Sequence, residues 1–151
     1  MRGPEVVARN SRMKVNMDRE GLPYNPERNM SYNSRLAQEL SKWAEGKDKA
    51  DEIHDALFRA YFVDVKNIGK VEPLVEIAQE VGLPADEATD VLLSRSFKEA
   101  VDEDWRRCAA VGVNAVPTFL AGKYLMVGAQ PYEELERLVQ HATSAAIVST
   151  T

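Results

Sequence analysis

Cysteine is almost missing from this chain. Its 151 positions hold one, Cys108, so no internal disulfide can form and no multi-cysteine zinc site can be assembled. Histidine is nearly as scarce. His54 and His141 stand far apart without a second ligand at metal spacing, which leaves no metal centre to expect. No apolar run approaches the ~20 residues that cross a bilayer, and Met1-Arg2-Gly3-Pro4-Glu5 opens without the apolar stretch of a secretory signal. No membrane role is expected, and the default address is the cytoplasm. A basic surface is lacking as well. The 24 acidic side chains outnumber 19 basic ones for a net charge of -5, with no Lys/Arg cluster set apart from acidic neighbours, so nucleic acid is not an expected partner.

What is present is helical patterning. A chain of this length suits one domain with a single core, residues 1–151. Pro4 sits well at the first position of a helix whose Val6, Val7, Met13 and Met17 recur at helical spacing until Gly21. Leu22 to Asn29 carries Pro23 and Pro26 and reads as a connector. Asn33 or Ser34 can cap a second helix with the stripe Leu36, Ala37, Leu40, Trp43 and Ala44, ended by Gly46. A third places Ala50, Ile53, Leu57, Phe58, Tyr61 and Phe62 inward, and Trp43, Phe58, Tyr61 and Phe62 are read as core. Leu74, Ile77, Ala78 and Val81 form a short helix closed by Gly82, and Pro84 opens another with Ala88, Val91 and Leu92. From Ser96 a further stripe of Phe97, Ala100, Val101, Trp105, Cys108 and Ala109 runs to Gly112, which makes Cys108 a small buried hydrophobe.

Beyond Gly112 the period changes. Val116 to Leu120 and Tyr124 to Val127 are short apolar runs separated by Ala121-Gly122-Lys123, a hairpin in which Gly122 supplies a positive φ. Pro117 at the strand start has no N–H for a ladder and is expected at an edge or bulge. A last helix begins near Pro131, holds Glu133 and Glu134 in its first turn and buries Leu135, Leu138 and Val139, while the tail after Ala142 is expected to fray. Two strands alone make a marginal sheet, so helices or other strands must cover it.

The run Gly112 to Tyr132, GVNAVPTFLAGKYLMVGAQPY, resembles the C-terminal signature of the DsbA-like thioredoxin-fold family. Glu20 to Tyr24, Tyr32 to Gln38, Gly82-Leu83 and Gly128 to Pro131 are similar to its FrnE-type branch, so the resemblance extends from Gly3 to Gln140. It implies an α+β, mostly helical, partial thioredoxin-like fold: a helical insertion part (1–112), a cis-Pro β-hairpin with the C-terminal helix (113–142) and a tail (143–151). It also implies a cis bond at Val116-Pro117, with Val116 and Pro117 lying where such proteins align an extended peptide against their catalytic sulfurs. Asn33 and Arg35 match a segment near that groove, with an N-cap and a solvated helix charge as the plain alternative; Gln130 either caps the last helix or faces the groove.

The family's Cys-x-x-Cys pair has no counterpart in this sequence. No catalytic residue is therefore expected in it, and the resemblance implies a thiol-disulfide oxidoreductase relative that is not redox-competent as it stands. Its partner would be a protein or peptide thiol substrate. The same architecture serves 2-hydroxychromene-2-carboxylate isomerases and kappa-class glutathione transferases, which leaves glutathione as a possible cofactor, and a non-enzymatic binding module is the third reading. Open hairpin edges point to a homodimer.

Overall fold

The computed structural model describes residues 4–28 and 30–148. Gly3, where the family resemblance starts, Asn29 of the connector and residues 149–151 of the expected tail lie outside them. The chain divides into two compact units, Met1–Asp102 and Glu103–Thr151. Helices α1 (Pro4–Arg19), α2 (Arg35–Glu45), α3 (Ala50–Phe62), α4 (Val71–Glu80) and α5 (Ala85–Ser94) belong to the first. Helix α6 (Lys98–Ala110) starts in the first unit and runs into the second, which holds strands β1 (Thr118–Ala121) and β2 (Tyr124–Val127) and helix α7 (Tyr132–Val148). Among the described residues the fold is thus mostly helical with one small antiparallel sheet, the α+β architecture expected from the sequence.

In the first unit, the apolar stripes of α2 to α5 converge. Leu40, Ile53, Leu74, Ile77 and Leu92 are fully buried, and Ala44, Ala78 and Ala88 between them let the helices approach closely. The connector ahead of α2 is strapped to the end of α3. The Asn25 N–H donates to the Phe62 carbonyl (2.9 Å) and the Asn25 side-chain amide to that of Val63 (3.1 Å). Arg28 is buried with its guanidinium 4.1 Å above the Tyr61 ring, at the negative end of the α3 dipole.

Six expected core residues lie outside: Phe58 on α3, Ala100, Trp105, Cys108 and Ala109 on α6, and Val139 on α7, which is 58% exposed where the sequence pattern placed it inward. Phe58 is 61% exposed, while Trp43 is buried and Tyr61 and Phe62 are half-buried. The inward line of α3 is Ile53, Leu57 and Ala60. One residue further round, Phe58 turns to solvent and its ring meets His54 and Phe62 along the helix. On α6 only Val101 is buried; Trp105 is 53% exposed and Cys108 is exposed. Val101 lies in the first turn of α6, and the stripe beyond it, from Trp105 to Ala109, is exposed.

In the second unit β1 pairs with β2 in the register Thr118↔Val127, Phe119↔Met126, Leu120↔Leu125 and Ala121↔Tyr124. Gly122 at the turn has φ +59, and a Cβ there would stand 3.7 Å from Ala142 of α7. Side chains alternate across the ribbon. Phe119, Ala121, Tyr124 and Met126 face α7, where the Tyr124 ring meets His141 edge-on at 4.6 Å between centroids. Leu120, Leu125 and Val127 occupy the other face and are exposed. Helix α7 does not stop at Ala142 as expected. The Thr143 and Ser144 hydroxyls donate to the Val139 and Gln140 carbonyls (both 2.9 Å), so these polar residues are satisfied within the helix.

Leu74→Ala, at a fully buried position of α4, is expected to cost ~2–5 kcal/mol in urea unfolding, against less than ~1 kcal/mol for Phe58→Ala. A larger loss for Phe58→Ala would show that its surface is covered.

Candidate functional site

The Val116-Pro117 corner is built from the end of α6 and the two ends of the hairpin. Helix α6 is closed by hydrogen bonds from the Gly112 N–H to the Ala109 carbonyl (3.1 Å) and from the Val113 N–H to the Cys108 carbonyl (2.9 Å). Gly112, at φ +81, makes the left-handed step that this ending needs. The Thr118 hydroxyl then donates to the Ala115 carbonyl (2.6 Å), folding the intervening residues into a tight bend. Within it the Val116-Pro117 peptide is cis. Pro117 has no N–H to offer, and the ladder begins one residue later at Thr118. Its carbonyl is not idle, since the Gly128 N–H donates to it at 2.8 Å and ties the bend to the exit of β2.

Gln130 completes the corner by donating from its side-chain amide to the Val127 carbonyl (3.0 Å). Gly128 turns at φ +93, and a Cβ there would come within 3.6 Å of that amide nitrogen. Val116, Pro117 and Gln130 are therefore brought together. Val116 is the most exposed large apolar residue described, at 90%.

Asn33 and Arg35 lie in the first unit and serve helix α2. The Asn33 side-chain oxygen accepts the Arg35 N–H (2.9 Å), one of the donors that a helix start leaves without an intrahelical partner. The Arg35 guanidinium donates to Glu39 (3.0 Å), to the Lys98 carbonyl (2.9 Å) and to Asp102. It is not the solvated helix charge of the plain alternative: its side chain is 16% exposed.

Glu39, Arg95 and Asp102 belong to the same cluster and were not singled out in the sequence. The signal for Glu39 was an acid on the inward side of α2, between Leu36 and Trp43. Its side chain has no exposed surface, and Arg95 grips both carboxylate oxygens at 2.7 Å. The Arg95 fork, more than Arg35, holds the Glu39 carboxyl below its usual range against the cost of burial. Arg35 and then Lys98 do the same for Asp102. Among the described residues, no three His, Cys, Asp or Glu side chains are grouped to hold a metal ion, and no helix is long and apolar enough to cross a membrane.

Both carboxyls titrate lower in the folded chain than in the unfolded one. Their stabilisation is therefore complete above the ordinary carboxylate range, about pH 4–5, and is lost as pH falls through the depressed values. Glu39→Gln is expected to lower stability at pH 7 by on the order of 3 kcal/mol, because two guanidiniums lose their shared anion, and to flatten the acid limb. Urea unfolding at pH 7 and pH 4 reads both effects; an acid limb as steep as that of the unsubstituted chain would place the titration elsewhere.

The DSBA-like thioredoxin domain family matches residues 4–140. An uncharacterized protein of Bacillus subtilis, YwbO, is 28% identical over 105 residues, which is 69% of this chain and 52% of that protein. The crystal structure of a probable DsbA oxidoreductase from Streptomyces coelicolor superposes with a TM-score of 0.82 at 29% identity, covering 91% of this chain and 60% of the other. A candidate protein disulfide isomerase from Nitrosomonas europaea shares the fold, with a TM-score of 0.74 at 20% identity over 95% of this chain and 76% of its own. The chain thus spans about half of the curated relative and three-fifths of the Streptomyces protein.

Proposed function

This chain belongs to the DSBA-like thioredoxin domain family, and on that premise we propose that it is the substrate-binding part of a FrnE-type thiol-disulfide oxidoreductase, unable to exchange disulfides by itself. The observation that carries the reading is the exposed Val116 side chain on a bend fixed by the Gly128 to Pro117 hydrogen bond, next to the start of β1. A preordered apolar knob beside a strand edge suits an extended protein or peptide segment, which gains backbone hydrogen bonds from the edge and a side-chain contact from Val116. Pro117 and Gln130 border the same surface. Asn33 and Arg35 are engaged at the start of α2 and in the ion cluster and are left out of it.

Disulfide exchange begins when a thiolate attacks one sulfur of a disulfide, forming a mixed disulfide and expelling the other sulfur as a thiolate; a second thiol then resolves the mixed species. These 151 residues hold one cysteine. Cys108 can supply the first step and nothing in this sequence the second, so in this reading the dithiol comes from another segment or another chain. The cytoplasm, which keeps a lone exposed thiol reduced, is the compartment that fits.

The chain is expected to show no turnover of insulin disulfides with dithiothreitol, while binding an extended insulin B-chain peptide. Val116→Asp should weaken that binding at least tenfold and Val139→Asp on α7 should leave it unchanged. Catalytic turnover would overturn the reading, and saturable glutathione binding would move it to the isomerase and transferase relatives.

The same reading has two copies associating through the hairpin, whose outer edges are unpaired and whose Leu120, Leu125 and Val127 face is exposed. Light scattering should give a dimer mass at micromolar concentration, and Leu125→Asp should return it to a monomer. A monomer at every concentration would rule this out.

A further inference from the structure

The Glu39 cluster joins three helices through five residues. Glu39 and Arg35 stand on α2, Arg95 is the residue that ends α5, and Lys98 opens α6 with Asp102 one turn further on. Arg95 has a left-handed backbone at φ 56, a conformation usually given to glycine after a helix. A glycine there would relieve the backbone and lose the fork on Glu39. Arg35 divides its donors between two helices. Its Nε holds Glu39, while an Nη serves both the Lys98 carbonyl and the Asp102 carboxylate. Lys98 closes the ring by reaching Asp102 at 3.1 Å.

We propose that this cluster is a clasp that fixes where α6 begins, with Arg35 acting on the start of that helix instead of on a ligand. Two observations converge on it. The turn from Arg95 to Phe97 is short, with the Lys98 N–H donating to the Arg95 carbonyl (3.0 Å), so α6 starts within three residues of the left-handed one. Below that turn the buried apolar anchorage of α6 is Val101 alone. One buried valine fixes a helix start weakly, and the polar contacts of Arg35 on either side of it, to Lys98 and Asp102, supply the remaining constraint. A carboxylate fully removed from water at the centre of the clasp makes it discriminating, because Glu39 has no solvent to fall back on if a guanidinium leaves.

Hydrogen exchange on the full chain tests this. Asp102→Asn, a mild change at a partly exposed position, and Arg35→Met, which keeps the apolar stem, should each speed exchange of the Val101 to Glu103 amides at least tenfold and leave the Leu74 to Ala78 amides of α4 unchanged. Arg35→Lys should not restore protection, since one ammonium cannot serve Glu39, Lys98 and Asp102 together. Arg95→Gly should lower the melting temperature despite its easier backbone. Unchanged exchange at the start of α6, equal acceleration in α4 with Asp102→Asn, full protection with Arg35→Lys, or a higher melting temperature for Arg95→Gly would each overturn the proposal.

Discussion

A carboxylate with no exposed surface sits between two guanidiniums in the first unit, and the helical part is arranged around that constraint. An unpaired charge in such a place would be far too costly to keep, so Glu39 requires both Arg35 and Arg95 within reach. That requirement fixes more than an ion pair. It sets the rotation of α2, because Arg35 and Glu39 must share a face, and it selects the backbone of Arg95, because a fork to both oxygens needs the chain to turn left-handed at the end of α5. The apolar stripes supply the bulk of the burial, and the buried acid adds contacts whose partners and directions are fixed.

The second unit is organised on the opposite principle. It has few buried side chains and depends on backbone hydrogen bonds placed at its corners. The bond from Gly128 to Pro117 and the one from Thr118 to Ala115 hold the bend that presents Val116, while α7 covers one face of the ribbon through Tyr124 and His141. A side chain as exposed as Val116 contributes little to folding. Its backbone is nevertheless fixed on both sides.

Much of this was legible in the residues. The stripes of α2 and α4 carry the period of a buried face, and Gly122 between two apolar runs marks the hairpin. Glycine at 21, 82 and 112 marks helix ends, and each of the three has positive φ. What was hidden depends on partners distant in sequence. Phe58, Trp105, Cys108 and Val139 lie on apolar stripes like any core residue, and only the folded chain shows that each is exposed. Arg35 reads as a surface charge until Asp102, 67 positions away, is placed beside it. Arg95 gives no local sign of a left-handed turn, since the residue is dictated by Glu39 and not by the turn. Val116, Pro117 and Gln130 were found through family likeness; their convergence at one corner comes from the hairpin register.

The brevity of the ribbon has a further consequence. Each strand has four residues, so an outer edge offers few outward-pointing backbone groups, and a chance neighbour that merely stacks alongside gains little. A visitor that also lays apolar side chains on Leu120, Leu125 and Val127 collects both contributions at once. Under the proposed association, shortness would work as a filter: an open border is tolerated in a crowded solution, and the counterpart favoured is one that fits edge and face together.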